Sequence, residues 1–225
     1  MLSSIATVIV ALAAAISAER VIPKQGRGIS VTPHAQYSSS IGVIGGRINT
    51  NRVAYWPYDF TCQDLCVKVS YQGRSLNLLR IDSSGAAHDI SYDAWNYLGF
   101  GKSATEDPRQ GGGIVMDFDV VPDDQCKDLL NDGKLPLSAS NSMNYVSKCH
   151  QQQPGSWFSN NYELVNINDA ISHYGWNEIC TLDMNSGENQ PKCPHQLADQ
   201  HTPTGIEVVN IEYGTGKKNP KTDCK

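Results

Sequence analysis

No run of basic residues occurs in this chain, and only 18% of its 225 residues are charged. Lys and Arg number 18 against 23 Asp and Glu, a net charge of −5. Nucleic-acid binding draws its affinity from phosphate neutralisation, so an acidic chain without a basic stripe falls outside that class. The Gly-x-Ser-x-Gly elbow, the phosphate-cradling glycine loop and the His-Glu-x-x-His helix are missing too. Their absence removes the usual signatures of serine hydrolases, nucleotide enzymes and zinc proteases. Without an Asn-x-Ser/Thr sequon, N-glycosylation is not expected. One absence is local: Met1 to Ala18 holds no Asp, Glu, Lys or Arg, and Ile5 to Ile16 is almost wholly apolar. Spanning a bilayer takes roughly 20 apolar residues. This shorter run, followed by the small residues Ala15, Ser17 and Ala18, predicts a signal peptide over 1–18, cleaved after Ser17 or Ala18. No second such run follows. The expectation is a secreted, extracellular monomer with no membrane span, no nucleic-acid partner, and neither cofactor nor metal.

Seven cysteines are present: Cys62, Cys66, Cys126, Cys149, Cys180, Cys193 and Cys224. In an oxidising compartment they should form disulfides, leaving one unpaired or intermolecular. Any six allow about 15 connectivities, which sequence cannot resolve. Short loop closure favours Cys126–Cys149 and Cys180–Cys193, with Cys62 or Cys66 reaching Cys224 to tie down the tail. Cys180, Cys193, His195 and His201 resemble a loose zinc set. Their spacing and the oxidising context favour a disulfide with loop histidines instead.

Residues 19–40 are rich in Gly, Ser, Pro and basic residues and read as a flexible leader or propeptide, with Arg20 and Arg27 as trimming candidates. One or two short strands are expected between Ile41 and Trp56, broken at Gly45-Gly46 and stopped by Pro57. Val67, Val69 and Tyr71 then alternate with Lys68 and Ser70, and Gln72-Gly73 supplies a turn. The return strand, Ser75 to Asp82, carries Leu76 and Leu78 on one face and Leu79 and Ile81 on the other. It is therefore expected to be buried on both sides. Ser91 is placed to cap a helix carrying Ala94, Trp95 and Leu98, with Gly99 as its left-handed stop. After a loop, Ile114, Met116, Phe118 and Val120 mark another strand. Beyond it, residues 123–131 and 138–149 read as helical, Tyr162 to Ile167 as a strand, and Asp169 to Tyr174 as a helical turn. Residues 183–204 form a polar loop, and the tail after Gly214 is expected to be loose.

Within 53–121, the stretches CVKVSYQGRSLNLLRID, HDISYDAWNYLGF and GGGIVMDFDVV follow one another. This order resembles the double-psi β-barrel group of barwin, expansin, kiwellin and cerato-platanin. The resemblance implies a mainly β fold: a six-stranded, disulfide-stabilised double-psi barrel over 41–121, with an α+β extension over 122–225. It also implies a polysaccharide groove lined by Asp89, in HDIS, and by Asp82 at the end of the preceding strand. The clustered cysteines and second domain of expansins are absent.

Glycosidic hydrolysis needs two carboxylates, about 5–5.5 Å apart for retention or roughly 6.5–9.5 Å for inversion. Asp82 and Asp89 are the candidate catalytic pair, with Asp117 or Asp119 as substitutes for one member. The bland alternative makes Asp82 and Asp89 strand-end residues satisfying backbone N–H groups. Tyr55, Trp56 and Tyr58 form an aromatic cluster that could stack on sugar rings, with His88 beside it. Against this, Trp56 fits a core position and the tyrosines an edge. Three functions follow. The first is non-catalytic binding of cell-wall polysaccharide or a host surface protein, in the manner of an effector. The second is glycan cleavage with Asp89 as acid. The third is protease inhibition or other protein binding through the 180–193 loop.

Overall fold

The computed structural model describes residues 20–221. The predicted signal peptide and Cys224 lie outside the described residues. Six strands close a barrel: β1 Gln25–His34, β2 Val53–Trp56, β3 Cys66–Tyr71, β4 Arg74–Ser83, β5 His88–Ser91 and β6 Ile114–Val120. Their order is β1-β5-β2-β4-β3-β6, with β6 returning to β1. The sheet is mixed: β1/β5 and β2/β4 are parallel, and the other pairs antiparallel. Helix α1, Tyr92–Phe100, follows β5. The remainder holds β7 Leu135–Ser138, α2 Met143–Gln152, α3 Trp157–Asn160, β8 Tyr162–Ile167 and β9 Gly175–Cys180, with a closing hairpin of β10 Val208–Ile211 and β11 Lys218–Lys221. Strands β7-β8-β9 form a second sheet. The fold is mainly β, as expected.

Strand alternation sorts the apolar residues of the barrel into two cores. Inward positions of the barrel, among them Val31, Ala54, Trp56, Leu78, Ile90 and Phe118, pack together with Trp95 and Leu98 of α1. Outward positions on β2 and β4 (Val53, Tyr55, Leu79 and Ile81) pack against Leu135, Leu137, Val146 and Phe158 of the extension. The doubly apolar pattern of β4 thus reflects burial on both faces. Its hairpin with β3 turns at Gln72 and Gly73, whose φ values are 46° and 81°. Positive φ at both central residues gives the turn the twist that antiparallel strands need.

Several expectations are corrected. The described part of the expected 19–40 leader, residues 20–40, is not loose, because β1 lies inside that span and closes the barrel between β5 and β6. A trimming cut at Arg27 would sever that strand. The barrel therefore begins at Gln25 rather than at residue 41. The alternation that would have marked β1 is broken by a bulge, where the register with β6 shifts between Gly26 and Ile29. The 41–52 region forms two single-turn 3-10 helices and isolated bridges rather than strands. Residues 123–129 form a 3-10 turn, and α2 starts five residues later than predicted, because Leu135–Ser138 pairs with β8 first. Helix α1 runs past Gly99 and stops at Gly101, which takes φ 83° and donates its N–H to Tyr97 O. Ser91 sits at the helix start, but its hydroxyl donates to Thr50 O and accepts from Val53 N–H instead of capping.

The tail is ordered to Lys221: β11 pairs with β10, and the Tyr213 hydroxyl accepts from Gly111 N–H at 2.6 Å and donates to Gly111 O at 2.7 Å. Disulfides join Cys62–Cys149, Cys66–Cys126 and Cys180–Cys193. The local Cys126–Cys149 loop does not form. The 3-10 turn lays Cys126 against the start of β3, and α2 delivers Cys149 to the loop carrying Cys62. Both of those bonds therefore fasten the extension to the barrel. No helix among the described residues is long and apolar enough to cross a membrane.

Candidate functional site

Cross-strand register places Thr32, Asp89, Tyr55 and Asp82 in one row over β1, β5, β2 and β4. Laterally paired residues share a face, so all four point outward from the barrel. Asp82 and Asp89 are thus brought to the same side, separated by Tyr55. The Asp82 carboxylate is 9% exposed and fully engaged. It accepts from the Ser38 hydroxyl, from Ser40 N–H at 3.0 Å and from Ser83 N–H at 2.8 Å. It acts as a staple holding residues 38–40 over the row. Asp89 accepts from the Thr32 hydroxyl. Between them, burial first and the Asp82 charge second push the Tyr55 phenol far above its ordinary pKa, so it stays neutral.

His88 does not join this row. It precedes Asp89 in the same strand and so faces the barrel interior, beside Val31. Its ring lies 5.3 Å from Trp56 and 6.2 Å from Phe118, and its Nε2 is 3.2 Å from the Tyr58 hydroxyl. Burial lowers its pKa, partly offset by Asp89. The aromatic platform is likewise corrected: Tyr55 is 3% and Trp56 0% exposed. Trp56 packs edge-on against Phe118 at 4.6 Å. Neither ring can offer a face to a sugar. Tyr58 and His88 remain partly accessible.

Around the barrel wall, a different surface is open. The outer face of β6, β3 and the start of β4 carries the polar half of three alternating strands. Register sets Asp117 beside Ser70 and Ser70 beside Ser75; one step along, Asp119 adjoins Lys68 and Lys68 adjoins Asn77. Two depressions lie here. One, of about 480 Å3, includes Tyr71, Arg74, Val115 and Asp117 in its lining. The other, of about 440 Å3, includes Arg52, Asn77, Gln125 and Asp128. They share Lys68 and Ser75, so they adjoin along one open face, the trough.

The bulge in β1 organises its rim. Gly28, at φ 66°, donates its N–H to Asp117 Oδ1 at 2.8 Å, and Arg27 Nη2 meets Asp119 Oδ1 at 2.7 Å. At the opposite end Arg74 donates to Leu98 O at 2.7 Å and Gly99 O at 3.1 Å, and its guanidinium lies 5.9 Å from the Tyr71 ring centre. Sequence reasoning singled out Asp117 and Asp119 only as spare carboxylates. The outward polar set Lys68, Ser70, Ser75 and Asn77 was the available signal, since a polar outer face on three adjoining strands marks an open wall among the described residues.

The loose zinc set resolves differently. Cys180 and Cys193 are bonded to each other. The His195 ring stacks on Trp176 at 3.8 Å, and its Nδ1 lies 2.6 Å from Glu178 Oε2. Burial opposes charge on Glu178, but hydrogen bonds from His195 and Asn166 hold its carboxyl below the ordinary range. Among the described residues no group of three or more potential metal ligands was found. Compared with known proteins, the chain matches no family model, no curated protein and no solved structure.

Proposed function

We propose that this chain is a secreted, non-catalytic double-psi barrel protein that binds an extracellular polysaccharide, with cell-wall glycan as the reference class. Three observations support the reading. A closed six-stranded mixed barrel with three disulfides is compatible with that superfamily and suits an oxidising compartment. The resemblance over residues 53–121 points the same way. The observation that carries the non-catalytic part is the state of Asp82. A general acid or nucleophile must reach the scissile bond, whereas this carboxylate is buried and saturated by Ser38, Ser40 and Ser83. Asp89 is left without its expected partner.

The test is co-sedimentation of the disulfide-intact protein with insoluble chitin and cellulose, with soluble sugar assayed in the supernatant. Retention without sugar release, unchanged in Asp89→Asn, is the expected outcome. Sugar release that vanishes in Asp89→Asn would establish the glycan-cleaving alternative. A second reading, a host protein as the partner, is favoured by the exposed loop between Cys180 and Cys193. It predicts no retention on either polymer.

A further inference from the structure

We infer that the glycan lies in the trough across β6, β3 and β4, not at the Asp82–Asp89 row, and that it is an extended, uncharged chain. This deepens the glycan reading above and rests on it.

The location follows from what covers the barrel. The outward residues of β2 and the second half of β4 are buried under the extension. Asp82 and Tyr55 belong to that covered side. Among the described residues no layer covers the outward residues of β6, β3 and the first half of β4, which are bordered at Asn77 by the 123–129 turn and line two adjoining depressions. With neighbouring strands about 4.8 Å apart, the path from Asp117 over Ser70 to Ser75 measures roughly 10 Å. It then continues past Asn77 toward Gln125. A path of that length and shape suits a chain of linked sugars more than a single one.

The charge of the occupant follows from how the trough's ions are engaged. Arg27 is paired with Asp119. Asp117 accepts a backbone N–H, Arg52 is paired with Asp93, and Arg74 serves the last carbonyls of α1. Lys68 and Asp128, one of each sign, line the trough outside these pairs among the described residues. The trough therefore presents many fixed donors and acceptors with little net field. A polyanion gains nothing from such a surface, and the protein's net charge of −5 opposes it. Neutral hydroxyls, which both donate and accept, match it well. Arg27, Arg52, Arg74, Asp117 and Asp119 are restrained by these bonds, so they add little ordering cost on binding.

Two apolar elements complete the fit. Val115 is 63% exposed on an otherwise polar face. Tyr71 packs against the inner core with the Arg74 guanidinium over its ring, and only its edge borders the end of the trough. The C–H faces of pyranose rings pack against surfaces of this kind.

The experiment is calorimetric titration of the disulfide-intact protein with cellobiose, cellohexaose, chitobiose, chitohexaose and polygalacturonate, at low and high salt. The expected result is that at least one hexamer binds about tenfold or more tighter than its dimer. That binding should be indifferent to salt, lost in Ser75→Trp and Val115→Asp, and kept in Asp89→Asn. Val115 is exposed, so its variant reports on binding even if the tryptophan perturbs the hairpin; near-ultraviolet circular dichroism verifies both folds. Hexamer binding that survives both trough variants and disappears in Asp89→Asn would overturn the location while leaving the glycan reading standing. Tighter, salt-sensitive binding of polygalacturonate would overturn the uncharged assignment alone. Failure of the folded wild-type protein to bind any of these sugars, or the insoluble polymers, would overturn both.

Discussion

The two outer walls of this barrel are built from adjacent strands and have opposite fates. On β2 and distal β4 the outward side chains are Val53, Tyr55, Leu79 and Ile81, and they are sealed beneath the extension. On β6, β3 and proximal β4 they are Asp117, Asp119, Lys68, Ser70, Ser75 and Asn77, and they face solvent. Strand β4 belongs to both walls, changing from polar to apolar along its length. One strand thus supplies an open polar face at its start and a packed apolar face at its end. The covered wall is where the resemblance to sugar-handling barrels would put function, yet packing has claimed it. The open wall is where binding chemistry remains free.

This contrast can be broken most severely at its fastening. The Cys62→Ser/Cys149→Ser variant removes a cross-link of sequence separation 87 between barrel and extension. Chain-entropy reasoning puts the loss at about 4 kcal/mol, read as a lowered midpoint in urea unfolding. If the loss is below about 1 kcal/mol, the apolar seam alone holds the covered wall.

A comparable effect should separate core from surface. Trp56→Ala empties a fully buried site between Phe118 and the rest of the inner core and should cost about 3–5 kcal/mol. Val115→Asp should stay within about 0.5 kcal/mol. A Trp56→Ala protein of unchanged stability would return that ring to the surface and revive it as a sugar platform.

The smallest effect is a pH dependence at the end of the open wall. Burial opposes charge on Asp93, but Arg52 at 2.8 Å, Ser103 and the N–H of Ala104 together hold its carboxyl below the ordinary range. A group whose folded pKa is lowered contributes stability that is complete above the unfolded pKa and fades as pH falls through the folded one. Stability should therefore decline below about pH 4, less steeply in Asp93→Asn. Identical slopes in urea titrations of the two proteins would remove Asp93 from the account.

The sequence was most legible where short-range patterns decide structure. Alternation around Gln72-Gly73 defines the β3–β4 hairpin, and the doubled apolar faces of β4 announce its two-sided burial. It was least legible where distant parts meet. The bulge at Arg27 and Gly28 hides β1 by interrupting its period, although that same bulge braces Asp117 and Asp119. Cysteine spacing favoured the nearest partners, while the 3-10 turn and α2 set the true distances. His88 and Asp89 looked like one site because they are neighbours in sequence; a strand sends neighbours to opposite faces. The site residues failed for a related reason. Asp82, Tyr55 and Trp56 have the right chemistry, but accessibility is a tertiary property.

The Tyr213 clasp has a consequence for how the molecule is made. Gly111 waits for a hydroxyl that lies 102 residues further along the chain. At a synthesis rate of roughly 5–20 residues per second, the interval is on the order of ten seconds. Soon after it begins all six barrel strands have been synthesised, while the loop before β6 still lacks its latch. A ribosome paused in that window would therefore display a formed hairpin beside an unsecured loop.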